Sequence, residues 1–483
     1  PPFLLFAANG AAGMWGKEYS QTRDRIGLTV LRWLLLLIFM VTLAIQISWL
    51  YRQFTAEDLL RDDIRGAAEY LNEVAEEDDL IILHDTIIGF TFDYYYEGAA
   101  SWEAIPTLGE DNVDEAEAAL AAAGSRAKRI WFLARPTPRT GFPRKAVWDW
   151  ADMNWPRFYS REFPSMWLRV QLIGYTPEPV VDAVPQEATL VNEQFGEALR
   201  LHGVELPSIA TAGQPWWATF YWSKLDPDDG DYIVSMRIID EDGQLWGQDD
   251  DLLWHDYLPV EWPSEKIIGS ELEISLASGV PPGHYEVWLR VMDGERRPLN
   301  SGGDEVDVFI GDIELLAGTE RSALPAFTEQ EVRLGDVDFL GYSLPTGEIR
   351  PGHAIPIELF WLARKTPAEG LLLRIELVDE AGYVVADIET EPTRKDHPAS
   401  SWQAGELLQS KAMLNLPASA GEASPMIRIV LTAPATGETV ASFMLKDELV
   451  INAWPYVDEL PNDLQLLDAA FGDPPTISLP GLD

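Results

Sequence analysis

The stretch Gly213–Trp222 reads GQPWWATFYW, and 139 residues later Gly352–Trp361 reads GHAIPIELFW. In the first, Trp216, Ala218, Phe220 and Trp222 fall on one face of an extended chain, and Trp217, Thr219 and Tyr221 on the other. In the second, Ile355, Ile357, Leu359 and Trp361 alternate with Pro356, Glu358 and Phe360. A period of two is the mark of a β-strand with one buried face. Outward from this pair the same offset holds. FGEALRLHGVEL from Phe195 matches LGDVDFLGYSL from Leu334, with a one-residue slip near Gly203 and Gly341. RIIDEDG, ending at Gly243, matches ELVDEAG, ending at Gly382. Trp262 in VEWPSE pairs with Trp402 in SSWQAGE after one further inserted residue. One spacing kept over so many positions means two copies of one domain.

Short strands with Pro, Gly and Asp turns, in copies of about 130 residues, predict tandem immunoglobulin-like antiparallel β-sandwiches. Their bounds are read as 185–320 and 321–455. FGDPPTISLPGLD, from Phe471, resembles the opening of a third copy, so 456–483 reads as a linker and the start of that copy. Trp222 and Trp361 stand at equivalent places, which favours a core role over ligand stacking.

The 483 residues carry a net charge of −44 and no cysteine. The charge argues against nucleic acid or anionic lipid as a partner. The absence of cysteine removes disulfides, thiol nucleophiles and thiolate metal sites.

Before the repeats the pattern changes. Trp33–Tyr51 is uncharged and bracketed by Arg32 and Arg52. A helix of that length matches the ~30 Å of a bilayer core, which predicts a transmembrane helix at about 33–51. Pro1–Trp15 then reads as the end of an earlier membrane helix. Lys17, Arg23 and Arg25 between the two would stay cytoplasmic, placing the bulk of the chain extracytoplasmic. In 54–184, apolar runs at Leu80–Leu83 and Ile130–Ala134 alternate with helical spacing at Ile64, Ala67, Ala68, Leu71 and Val74, and at Val113, Ala116, Leu120 and Ala123. That alternation predicts a small α/β domain with a mostly parallel sheet.

Ligands of such sheets bind beyond the carboxyl ends of the strands, which makes His84 and Asp85 candidates, with a polar pair in a loop as the plainer reading. Asp226, Asp228, Asp229 and Asp231 are candidate calcium ligands. They do not fit the EF-hand spacing, and the equivalent KTPAEG of the second copy lacks the acids, so an acidic turn is the simpler account. Trp246, Trp254, Tyr257 and Trp288 are candidates for a sugar-stacking platform, against ordinary packing. There is no phosphate-binding glycine loop, no H-E-x-x-H and no G-x-S-x-G.

DDIRGAAEYLNEVAEEDDLIIL (Asp62–Leu83), YYYEG (Tyr94–Gly98) and RIWFLA (Arg129–Ala134), placed after an apolar helix, resemble the region following the last membrane helix of polytopic glycosyltransferases that use polyprenyl-phosphate sugars, the protein mannosyltransferase and aminoarabinose transferase types. The sandwiches resemble modules appended to some bacterial members. The resemblance implies sugar transfer from a polyprenyl-phosphate donor to a cell-envelope acceptor at a lipid bilayer, with an acidic base and often a divalent metal. Those catalytic residues lie upstream of this chain, so no catalytic residue and no cofactor is assigned within it. The alternative is a membrane-anchored surface protein whose sandwiches serve adhesion or glycan binding. A third reading is a glycosidase domain on an anchor.

Overall fold

A computed structural model describes residues 24–55, 63–84, 86–106, 112–135, 144–163, 170–301, 306–347, 349–368, 370–418 and 424–452. Pro1–Trp15 and 456–483, with the expected third copy, lie outside them. Two units divide the chain, Pro1–Pro177 and Glu178–Asp483.

The first unit opens with helix α1 (Asp24–Thr55). Among the described residues no helix is long and apolar enough to cross a membrane. The transmembrane helix expected at about 33–51 is corrected on this finding. The integral-membrane localisation built on it, with the bulk of the chain extracytoplasmic, is corrected with it.

The rest of this unit is α2 (Ile64–Val74), β1 (Leu80–Leu83), α3 (Thr86–Tyr95), β2 (Ser101–Ala104), α4 (Val113–Gly124), β3 (Ile130–Ala134), α5 (Arg144–Asn154), β4 (Arg157–Phe163) and β5 (Val170–Tyr175). The strands form one sheet in the order β2-β1-β3-β5-β4. β1 pairs in parallel with β2 and β3, whereas β5 is antiparallel to both β3 and β4. The sheet is therefore mixed, not mostly parallel. The link from β4, ending at Phe163, to β5, starting at Val170, is too short for the crossover of about a dozen residues that a parallel pair needs, so the chain returns antiparallel. β1 and β3 are buried along their whole length, as central strands covered on both faces must be. α2 begins where the Asp63 carboxylate accepts from Gly66 N–H at 2.9 Å. A Cβ on Gly66 would come within 2.5 Å of that carboxylate, so glycine permits the cap. Asp79 and Arg129, just ahead of β1 and β3, are both buried. Their bidentate pair, at 2.9 and 2.8 Å, ties the amino ends of the two strands together. The indole of Trp131 donates to the same carboxylate at 3.0 Å.

The second unit holds two sandwiches. The first comprises β6 (Val180–Val181), β7 (Thr189–Phe195), β8 (Leu199–Glu205), β9 (Ile209–Thr211), β10 (Pro215–Lys224), β11 (Tyr232–Ile239), β12 (Leu245–Leu252), β13 (Ile267–Ser275), β14 (Gly283–Asp293) and β15 (Asp307–Leu316). Its sheets are ordered β6-β13-β10-β8-β7 and β12-β11-β14-β15-β9. The second comprises β16 (Thr328–Arg333), β17 (Val337–Ser343), β18 (Ala354–Ala363), β19 (Leu372–Val378), β20 (Val384–Thr390), β21 (Leu407–Asn415), β22 (Met426–Thr432) and β23 (Thr439–Glu448). Its sheets, β16-β17-β18-β21 and β20-β19-β22-β23, repeat the order of the first without β6 and β9. Pairing within both sandwiches is antiparallel apart from the short parallel pair of β9 with β15 and a parallel bridge between Ile349 and Ile451.

Trp222 and Trp361 are fully buried, each donating its indole N–H to a serine on the neighbouring strand, Ser270 at 3.0 Å and Ser410 at 2.7 Å. Trp262 and Trp402, equally buried, each close a single 3-10 turn before β13 and β21. β13 and β21 lie at equivalent places, and both have part of their outer edge paired. β6 pairs with Ile267 and Ile268 of β13. β21 is covered by the first sandwich itself. Leu407 N–H donates to Gly318 O at 3.1 Å, Gln409 N–H to Gly279 O at 2.6 Å, and Lys411 Nζ to Leu245 O at 2.9 Å.

Candidate functional site

The first unit offers a crevice at the carboxyl ends of β1 and β2. His84 follows β1, buried at 1% exposure, with its ring 5.2 Å from Phe132 and 5.8 Å from Trp148. It is packed among aromatics rather than presented to a ligand. Asp85 lies outside the described residues. Beside this position a groove of about 440 Å³ is lined by Thr86, Glu103, Ala104, Ile105, Ala119, Ala122 and Arg126. Its two charged side chains are bonded to each other, Arg126 to Glu103 at 2.5 Å.

The acidic loop between β10 and β11 closes on itself. The Asp228 carboxylate accepts from Gly230 N–H at 3.1 Å and from the Tyr232 hydroxyl at 3.0 Å. Burial pushes that phenol up to about 12. Asp226, Asp229 and Asp231 do not converge with Asp228 on a common point. Among the described residues no group of three or more His, Asp or Glu is arranged to hold a metal ion.

The four aromatic candidates separate. Trp246 and Trp254 are buried at 6% and 3% exposure, so neither forms an open platform. Trp246 donates to Asp240 at 2.7 Å and lies beneath Lys411, whose Nζ is 5.1 Å from its ring. Tyr257 is wedged between Trp254 at 5.9 Å and Trp262 at 6.3 Å. Only Trp288 of the four stands on an outward sheet face. Along β14, Tyr285, Val287, Leu289 and Val291 point into the core, so Glu286, Trp288 and Arg290 point out.

Register assembles the rest of that face. Phe309 of β15, Trp288 of β14, Arg237 of β11 and Gln248 of β12 are directly opposite one another in turn, making one row across the sheet. Asp307, Arg290, Ser235 and Asp250 make the next. Trp288 and Phe309 meet edge to face with centroids 5.7 Å apart, and Phe309 is 44% exposed. Asp307 accepts from Arg290 twice at 2.8 Å and from Arg237 at 2.9 Å. Asp250 accepts from Gln248 at 2.9 Å and from Arg296 at 3.3 Å. The Trp288 indole donates to Glu286 at 2.9 Å. Burial alone would raise the Asp307 carboxyl, but the hydrogen bonds and charges of the two arginines pull it below its ordinary value. Its hydrogen bond in turn raises Arg290 further. Asp307 and Arg290 therefore both stay ionised through the neutral range.

Sequence reasoning named Trp288 and missed Phe309, Arg237, Arg290, Asp307 and Gln248. A usable signal was present: in HYEVWLRV the tryptophan occupies a polar slot of an otherwise clean alternation. An aromatic in that slot has a face turned to solvent.

No protein-family model matches the chain, and no curated protein matches it. Among solved structures, a crystal structure of the C-terminal domain of wzt is matched at 10% identity and a TM-score of 0.21, over 28% of this chain and 86% of that one. A likeness this low carries no argument about function.

Proposed function

We propose that the chain is a glycan-binding module and that the outward face of β12-β11-β14-β15 is its binding surface. The observation that supports this is the pair of half-buried Trp288 and exposed Phe309 set beside arginines already fixed by Asp307. A sugar ring has an apolar C–H face and a polar rim. The first stacks on aromatic rings, and the second needs donors and acceptors held in place. An arginine carries five N–H donors. The bonds to Asp307 use two on Arg290 and one on Arg237, which leaves further donors for sugar hydroxyls. Gln248 adds an amide at the end of the row.

The test is affinity electrophoresis of the full chain against a panel of polysaccharides. Trp288→Ala is expected to weaken binding at least tenfold, about 1.4 kcal/mol. Arg428→Ala, on the equivalent face of the second sandwich, is expected to leave it unchanged. Wild-type retention by Trp288→Ala would remove the face from consideration.

A further inference from the structure

We infer that the glycan held on this face is uncharged and is gripped along its length across the four strands; this rests on the glycan-binding reading above. Three guanidinium groups stand on the face or at its rim, and each already has a carboxylate partner within the fold. Arg237 and Arg290 share Asp307, and Arg296 lies on Asp250 at 3.3 Å. A carboxylate or sulfate on the ligand would have to displace a carboxylate that is part of the fold. The outward positions beyond the aromatic pair are acidic as well. Glu286 lies opposite Asp312, and His284 opposite Glu314. The basic groups described beside them are paired too, His284 at 3.3 Å from Asp312 and Arg394 with Asp396. An anionic sugar laid over Trp288 would therefore meet uncompensated like charge on this side and no free cation on the other. The −44 net charge of the chain adds to that field at low salt. A hydroxyl-rich, uncharged ligand meets no such opposition, and its rim suits the carboxylates and guanidiniums as mixed acceptors and donors.

The geometry also sets how the ligand lies. Phe309, Trp288, Arg237 and Gln248 occupy four adjacent strands in register. At ~4.8 Å between strands the row spans about 14 Å, room for a short run of sugar rings. A row of this kind on a sheet face reads the flank of a chain and needs no chain end.

The experiment uses the full chain and a panel holding neutral polysaccharides and polyuronates of similar length, each run with wild type and with Trp288→Ala. Binding is measured by calorimetry between about 0.01 and 1 M salt. The expected result is that every Trp288-dependent ligand is uncharged and that its affinity changes less than about twofold with salt. Oligosaccharides blocked at both ends should bind as well as unblocked ones. Trp288-dependent binding of a polyuronate as tightly as of any neutral glycan would overturn the selectivity and leave the face intact as a binding site. Absence of any Trp288-dependent binding across the panel would overturn the glycan-binding reading and this inference together.

Discussion

The two sandwiches share a strand order and differ on the same face. Where the first has Trp288, Arg290, Phe309, Asp307, Arg237 and Ser235, register places Arg428, Val430, Met444, Ser442, Glu376 and Arg374 in the second. Aromatic pair and Asp307-centred network are replaced by a Glu376-centred one. Glu376 takes Arg428 at 2.5 Å and Arg374 at 3.3 Å, and Arg374 reaches Asp387 at 2.9 Å. Both faces are ion-paired, but only one presents an exposed ring. The inward positions tell the opposite story. Val234, Met236 and Ile238 of β11 correspond to Leu373, Ile375 and Leu377 of β19, and all six are buried. Packing constrains the inward half of each strand to apolar side chains, while the outward half is free to acquire a function or to lose one.

The largest test of this comparison is the shared tryptophan. Trp222→Ala and Trp361→Ala each delete a fully buried ring and leave Ser270 or Ser410 without its indole donor. Each is expected to cost about 3–5 kcal/mol, measured by denaturant titration. The two losses should agree within about 1 kcal/mol, given the context dependence of such deletions. A loss at one site and none at the other would show that equal sequence position does not mean equal core.

The junction provides a smaller effect. Arg394, in the loop between β20 and β21, pairs with Asp396, donates to His284 O at 3.0 Å, and lies 4.3 Å over the ring of Tyr285. Arg394→Ala removes a buried cation from between the sandwiches and is expected to cost about 2–3 kcal/mol. Because β21 depends on the first sandwich to cover its edge, calorimetry should show one unfolding transition in the wild type separating toward two in the variant. A single, unshifted transition would mean that the backbone bonds to Gly318 and Gly279 hold the junction alone.

What could be read from the chain follows the same division. The repeat was legible because inward positions recur at period two and because tryptophan recurs at one offset. β1 and β3 were legible as continuous apolar runs. β2 and β4 were not: SWEA and RFYSREF are edge strands, half exposed, with no apolar run to mark them. Nothing in VQLIGY states its direction, so the antiparallel pairing of β5 that makes the sheet mixed was not legible. An uncharged run such as Trp33–Tyr51 marks the apolar helix α1 but does not by itself establish a membrane span. Among the site residues, Trp288 was legible from its own strand. Phe309, Arg237 and Asp307 reach it only through pairings among β11, β14 and β15, which no local pattern encodes. Trp246 and Trp254 misled because a tryptophan count does not say which way a ring faces.

The finest distinction between the sandwiches is Tyr285. Its hydroxyl donates to Pro281 O at 2.6 Å, pinning the corner before β14. In the second sandwich the corresponding position is Pro425, just ahead of β22, which has no hydroxyl to give. Tyr285→Phe keeps the ring under Arg394 and removes that bond, so it is expected to cost about 1 kcal/mol in the first sandwich. The pH dependence carries a sign that identifies the bond. Burial holds the Tyr285 phenol above its ordinary value, with Arg394 drawing part of the shift back. A group whose folded value is raised contributes stability that is complete below its unfolded value, ~10 for tyrosine, and is lost as pH rises through the folded value. The difference in stability between wild type and Tyr285→Phe should therefore be flat from neutral pH to about 10 and shrink above it. Other buried tyrosines titrate in both proteins and cancel in that difference. A gap that persists unchanged well above pH 10 would show that the phenol proton is not what secures the corner, and that the proline of the second sandwich lacks nothing the first depends on.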